Sequence, residues 1–529
     1  MQGAANQRNR NRKSRALHCV AICLLAHALN ASALSFNVSL NGLTNHNTSA
    51  YPAYNQDNFA ANFGTATWVN QNGATMPIDP TQVDESLNPI TPGHVSKMDV
   101  HTLIPRRLDL RWFAHATPWF GSSSHIDIGL DNNTTSYVAA MITDMKNRGF
   151  NGVVIDWYGQ GDDTDGATQK IKSFLAGIPG NTFTYIVMID KGVKGGLGTN
   201  NLQAEIQYCQ QQYFNDPNYE REPVSSGQPI LMFFGVRSVL GATVMANVKA
   251  YTGGNMVWVE QGSAYLGESW EDECFEWTGQ FNSGVSQSDP FNLGAVTGDY
   301  STIFQSGKKF FGALCAKFNG TLTKSVGWSE GKYLPSSNGL CMVQRAAAIS
   351  AAIPRSMTRM QWPTWSDWEE GTQIESGIEN NFSLTGQANS SNLLSWAING
   401  DERTVDHYEI YASANGLTAA YLGSVAAGAY RTNLSQAGLP SGSYQMYIDA
   451  VGKPCVRDHI SPPVPMTVAV TLPTFNYQAT NGTIVLTWSA GSLQSAPTPA
   501  GSYSNVANAV NPYTVQPSNI QQFFRVIVP

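Results

Sequence analysis

Between Arg107 and Trp362 short apolar runs alternate with helical windows, and this alternation constrains the fold more than any other feature of the chain. Strands are expected at 108–117, 152–157, 184–190, 229–234, 256–260, 310–316 and 359–362. Their nearly continuous apolar character suits strands covered on both faces. Helices are expected at 136–148, ending on Gly149, and at 167–176, 202–213, 239–251 and 339–352. Strand and helix in alternation call for a parallel sheet. Seven strands over roughly 270 residues fit a (β/α)8 TIM barrel with one strand obscured near 285–300. A doubly wound open sheet is the alternative. It would place a glycine-rich phosphate turn after its first strand, and Pro118-Trp119-Phe120-Gly121 is not one.

The flanks have other textures. Arg8, Arg10, Arg12, Lys13 and Arg15 precede an apolar stretch from Ala16 to Leu29 and the small residues Ala31-Ser32-Ala33. Residues 1–33 are therefore expected to be a secretory signal, and the mature protein to be extracellular or periplasmic. The apolar stretch is short of the ~20 residues that span a bilayer, and no later segment is a transmembrane candidate. Residues 34–104 are rich in Asn, Thr, Gly and Pro and read as an irregular extension wrapped on the next domain. The barrel occupies 105–386. Short alternating strands between Gly, Asn and Pro turns then predict two small all-β, sandwich-like domains at 387–470 and 471–529. These modules read as structural or docking units.

Loss of the five basic signal residues takes the net charge from −7 to −12, and no basic stripe remains for a nucleic acid. Five cysteines would remain, without a CxxC or metal-like spacing, so a structural role is expected for them. No HExxH helix or GxSxG elbow occurs, and neither a metal nor another cofactor is expected. The protein is expected to be a monomer.

In a barrel the C-terminal strand ends carry the reactive groups. Those ends bring His125 after the first strand, Asp156-Trp157-Tyr158 after the second, Asp190 after the third and Glu260 after the fifth. Asp367 and Glu370 follow the last. The segment 361–376 holds three Trp and four acids within sixteen residues. Tryptophan faces suit the apolar C–H faces of sugar rings, and cleavage of a glycosidic bond needs one carboxylic acid and a second group that assists attack. Asp367 and Glu370 are the candidate pair, with Glu369 as competitor. Trp119, His125, Asp156, Trp157, Tyr158, Asp190, Glu260, Trp365 and Trp368 are the candidate substrate contacts.

PWFGSSSHID, DMKNRGFNGVVIDWYG and TWSDWEEGTQIE, in that order, resemble glycoside hydrolase families 71 and 99 over about residues 105–380. The resemblance implies an endo-acting hydrolase of an α-linked polysaccharide or oligosaccharide, α-1,3-glucan first and α-mannan second. It implies Glu370 as general acid and Asp367 as base, acting on water or on the sugar 2-hydroxyl. Ser366 and Glu369 depart from the family pattern, where Asn and His or Gly are usual. Those departures keep open a non-catalytic carbohydrate-binding surface protein on the same barrel. The module at 387–470 is similar to fibronectin type III domains.

Overall fold

The computed structural model describes residues 34–44, 67–69, 75–77, 94–120, 131–222, 227–278, 288–319, 333–353, 357–468, 474–480, 483–498, 500–516 and 522–527. Eight parallel strands close into a barrel. They are β1 (Arg111–Ala116), β2 (Gly152–Trp157), β3 (Thr184–Asp190), β4 (Ile230–Phe234), β5 (Val257–Gln261), β6 (Glu273–Phe275), β7 (Lys309–Ala313) and β8 (Arg359–Pro363). β8 pairs with both β1 and β7, which completes the ring.

Helices α1 (Thr135–Asn147), α2 (Asp163–Ala176), α3 (Thr199–Gln212), α4 (Val236–Leu240), α5 (Ala242–Thr252), α6 (Leu293–Ser306) and α7 (Leu340–Ala352) lie between the strands. The window at 239–251 is not one helix. It breaks at Gly241, whose φ of 84° is open to glycine and strained for other residues. The obscured strand is β6, not a segment near 285–300. Three residues, Glu-Cys-Phe, are too few to show a period, and the described part of the expected region folds mainly as α6.

Alternation along each strand sorts the core into two layers. Phe113, Val154, Ile186, Met188, Met232, Val259, Phe275 and Phe311 fill the barrel interior. Trp112, Ile155, Trp157, Val187, Phe233, Trp258 and Trp362 pack outward in the layer shared with the helices. At the N-terminal end of the barrel Arg359 forms the floor, with its Nη2 2.9 Å from Glu222 and its Nη1 3.4 Å from Glu273. Lys309 reaches Glu222 at 2.8 Å and Arg111 reaches Glu220 at 2.8 Å.

The β-sandwich follows. One sheet holds β9 (Ser383–Ala388), β10 (Leu393–Asn399) and β13 (Arg431–Asn433). The other holds β11 (Val405–Ser413), β12 (Thr418–Ala426), β14 (Gly442–Gly452), β15 (His459–Ile460) and β16 (Val464–Val468). Leu384, Leu394, Trp396, Tyr408, Ile410, Met446 and Ile448 are buried between the two. The described start of the N-terminal extension docks on this sandwich and not on the barrel. Val38–Ser39 pairs with β12, and Leu40 and Leu43 pack on Tyr411, Ala419 and Tyr447. Among the described residues the C-terminal unit shows two further three-stranded antiparallel sheets. Barrel and sandwich are stitched together where the Ile378 N–H donates to Cys455 O at 2.8 Å and the Arg457 N–H to Ile378 O at 2.9 Å.

Cys209, Cys274, Cys315, Cys341 and Cys455 are all buried and none is in a disulfide. Among the described residues no helix is long and apolar enough to cross a membrane.

Candidate active site

The segment after β8 folds back on itself, and its own polar groups hold it. The Asp367 N–H donates to Thr364 Oγ1 at 2.9 Å, and Thr364 and Thr372 share a hydroxyl hydrogen bond of 2.7 Å. Asp367 Oδ1 accepts the Glu370 N–H at 2.9 Å, so the two acids are linked through one turn. The turn is fixed to β1 by the Trp365 N–H, which donates to His115 O at 2.5 Å, and by Ser366 Oγ, which accepts the Thr117 N–H at 3.3 Å. Ser366 thus serves as a tether from the loop to the first strand.

Trp365 and Trp368 do not face the mouth of the barrel. Trp365 is fully buried beneath the Arg148 guanidinium, 4.7 Å from its ring, with Phe150 edge-on at 6.1 Å. Trp368 is also buried and its Nε1 donates to Glu375 Oε1 at 2.6 Å; the other oxygen of Glu375 accepts the Tyr137 hydroxyl at 2.5 Å. Both rings belong to the outer core layer and anchor the acidic turn against α1. Trp157 is likewise outward, stacked on Tyr208 at 6.1 Å with its Nε1 on Asp165 at 3.2 Å. Glu260 sits outward on β5, between inward Val259 and Gln261, and is fully buried. Burial pushes its carboxyl well above the usual range. These four side chains hold packing positions, because each occupies the outward phase of its strand or the underside of the loop.

The inward phase carries a different set. Asp156 is buried at the end of β2, and its Oδ2 lies 3.9 Å from Nε2 of fully buried His115. Burial raises the Asp156 carboxyl to about 8 and lowers the His115 imidazole to about 3, so at neutral pH the acid is protonated and the ring neutral. Asp190 ends β3. Burial and then Asp156 raise it to about 8, against the Gly192 N–H that it accepts at 2.5 Å and the nearby Lys191. Gly192 has no room for a side chain: a Cβ there would lie 2.7 Å from Tyr158 and 2.9 Å from Asp190 Oδ1. Tyr158 is half-buried, with Trp119 edge-on at 5.5 Å. Its phenol is pushed far up by burial and then by the charges of Asp156, Asp190, Asp367 and Glu370.

Glu370 is half-buried on the same rim. Burial, then Asp367, Asp156, Glu369 and Asp190, push its carboxyl well above the ordinary glutamate range. The structure therefore brings together Asp156, Tyr158, Asp190, Asp367 and Glu370, with Trp119 beside Tyr158. His125 lies outside the described residues. Two members of the rim escaped the sequence reading. His115 faces inward two positions after Phe113, and half-buried Trp277 stands edge-on to it at 4.5 Å, with Phe234 at 5.2 Å. Strand period alone would have found His115. Trp277 follows β6, which was itself invisible.

Such a rim can donate and accept protons, with half-buried Trp277 beside His115, whereas Trp119 is buried in the outer core layer. Neither a family model nor a curated relative matches the chain. Among solved structures it is similar to the GH99 endo-α-mannosidase of Bacteroides thetaiotaomicron. In the complex with bis-tris-propane the identity is 13% and the TM-score 0.40, over 52% of this chain and 88% of that one. A second structure of that enzyme gives 13% and 0.38, over 52% and 89%. The Bacillus cereus spore cortex-lytic enzyme SleL gives 8% and 0.29, over 48% and 70%. Likeness at this level says nothing about chemistry.

Proposed function

We propose that the chain is an exported endo-acting glycoside hydrolase of an α-linked polysaccharide, with α-1,3-glucan as first substrate and α-mannan as second. The reading rests most on one observation: Asp367 and Glu370 share a turn at the C-terminal mouth of the barrel, with Glu370 biased toward its protonated form by burial and neighbouring acids. Glu370 gives its proton to the departing glycosidic oxygen. Asp367 takes a proton from the attacking water, or from the sugar 2-hydroxyl in the manner of family 99. Asp156 and Asp190, protonated near neutrality, donate to sugar hydroxyls. Half-buried Trp277 offers its ring to the sugar. The TWSDWEEGTQIE motif supports the choice of substrate, and residues 1–33 support export.

A polysaccharide panel with reducing-end detection tests the reading. Oligosaccharide release from α-1,3-glucan or α-mannan is expected. Saturable binding to either glycan with no product after days would replace the enzyme with a carbohydrate-binding surface protein.

A further inference from the structure

We propose that His94, Asp449 and Asp458 form a binding site for one divalent ion of the zinc class, which staples the segment leading into the barrel onto the sandwich. The site lies in the stitched junction of these two units and is independent of the glycan-cleaving reading.

One ligand atom from each of the three side chains can be chosen so that all lie within 4.8 Å of one another. His94 Nε2 is 2.9 Å from Asp458 Oδ2. Asp458 is oriented for this role, since its Oδ1 accepts the Gly452 N–H at 2.7 Å, which turns Oδ2 toward the imidazole. Such a hydrogen bond behind a ligand fixes its direction and is typical of metal sites. The backbone is equally prepared: the Asp458 N–H donates to His94 O at 2.7 Å, and Val95 bridges Arg457.

Asp449 supplies the second, independent observation. It lies on β14, is 1% exposed, and its Oδ1 has no hydrogen-bond partner among the described residues. A buried carboxylate oxygen without a partner is costly, and a cation removes that cost. The ion pair of His94 is with Asp458 and leaves this Asp449 oxygen unsatisfied.

Donor chemistry selects the ion. Calcium and magnesium favour all-oxygen shells of six or more ligands, whereas one imidazole and two carboxylates suit zinc with a water in the fourth position. The His94 side chain is 26% exposed, which leaves that side open to solvent.

The test uses the full chain, stripped with EDTA, desalted and titrated calorimetrically with Zn²⁺, Ca²⁺ and Mg²⁺. One Zn²⁺ per chain is expected, with Ca²⁺ and Mg²⁺ weaker, and Zn²⁺ should raise the unfolding temperature by several degrees. His94→Gln and Asp449→Asn should each weaken zinc binding by roughly tenfold or more. His94 is partly exposed, so His94→Gln leaves the sandwich core intact, and far-UV circular dichroism verifies that. Absence of saturable zinc binding by the wild-type chain overturns the proposal. So does zinc binding that both variants leave unchanged, which would place the ion elsewhere, for instance at His407 with Asp406 and Glu409.

Discussion

The two ends of the barrel use the same residue types in opposite ways. At the floor, Glu220, Glu222 and Glu273 surround Arg359, with Arg111 and Lys309 completing the network. Burial pushes Glu273 up to about 7, while Arg359 pulls it back. At the rim, burial raises Asp156, burial and Asp156 raise Asp190 against the pull of Lys191, and burial with neighbouring acids raises Glu370. Buried acids matched with cations stabilise a closed sheet. Buried acids with fewer cations beside them are biased toward their protonated forms, which suits proton transfer. Position along the strand, not residue type, separates the paired acids of the floor from the acids of the rim.

Three variants test this contrast. At the rim, Glu370→Gln and Asp367→Asn should each lower kcat on the cleaved glycan by roughly 10³-fold with little change in melting temperature. Retention of full activity by both would remove the assignment. At the floor, Arg359→Met should cost roughly 3–5 kcal/mol by leaving buried carboxylates unpaired. Denaturant unfolding measures this, and the molecules that remain folded should keep their kcat. If Arg359→Met lowered kcat without loss of stability, the division between the two ends would fail.

The smallest effect expected is a gain. Native Asp156 titrates at about 8 against an ordinary 3.8, so the folded state binds the extra proton between those values and stability falls as pH rises through that window. Asp156→Asn removes this loss. It should stabilise the protein at pH 7 and change it by almost nothing near pH 4, while lowering activity. A pH-independent change in denaturant midpoint would contradict the ionisation assigned to Asp156.

Much of the barrel is legible in the sequence because seven of its strands are long and apolar enough to stand out. β6 is not, since three residues with one charge carry no period. The acids of the rim are legible as strand-end residues, and Asp156, Asp190, Asp367 and Glu370 all reach it. The tryptophans are where pattern misleads. Trp365 and Trp368 flank the acids in sequence, yet the turn that brings the acids to the mouth sends the indoles beneath it, to Arg148 and Glu375. Trp157 could have been excluded from the strand period, because an inward Asp156 forces its neighbour outward. Glu260 fails for the same reason: Val259 is inward. The docking of Val38–Ser39 on β12 is a long-range pairing that no local pattern announces.

The claim on which the mechanism depends is that Glu370 holds a proton at neutral pH. Infrared spectra of the wild type and Glu370→Gln at pH 7, recorded as a difference, report it directly. A carboxylic-acid carbonyl band present in the wild type and lost in the variant is the expected result. A difference showing only the loss of a carboxylate band would mean that Glu370 is ionised and cannot protonate a leaving group.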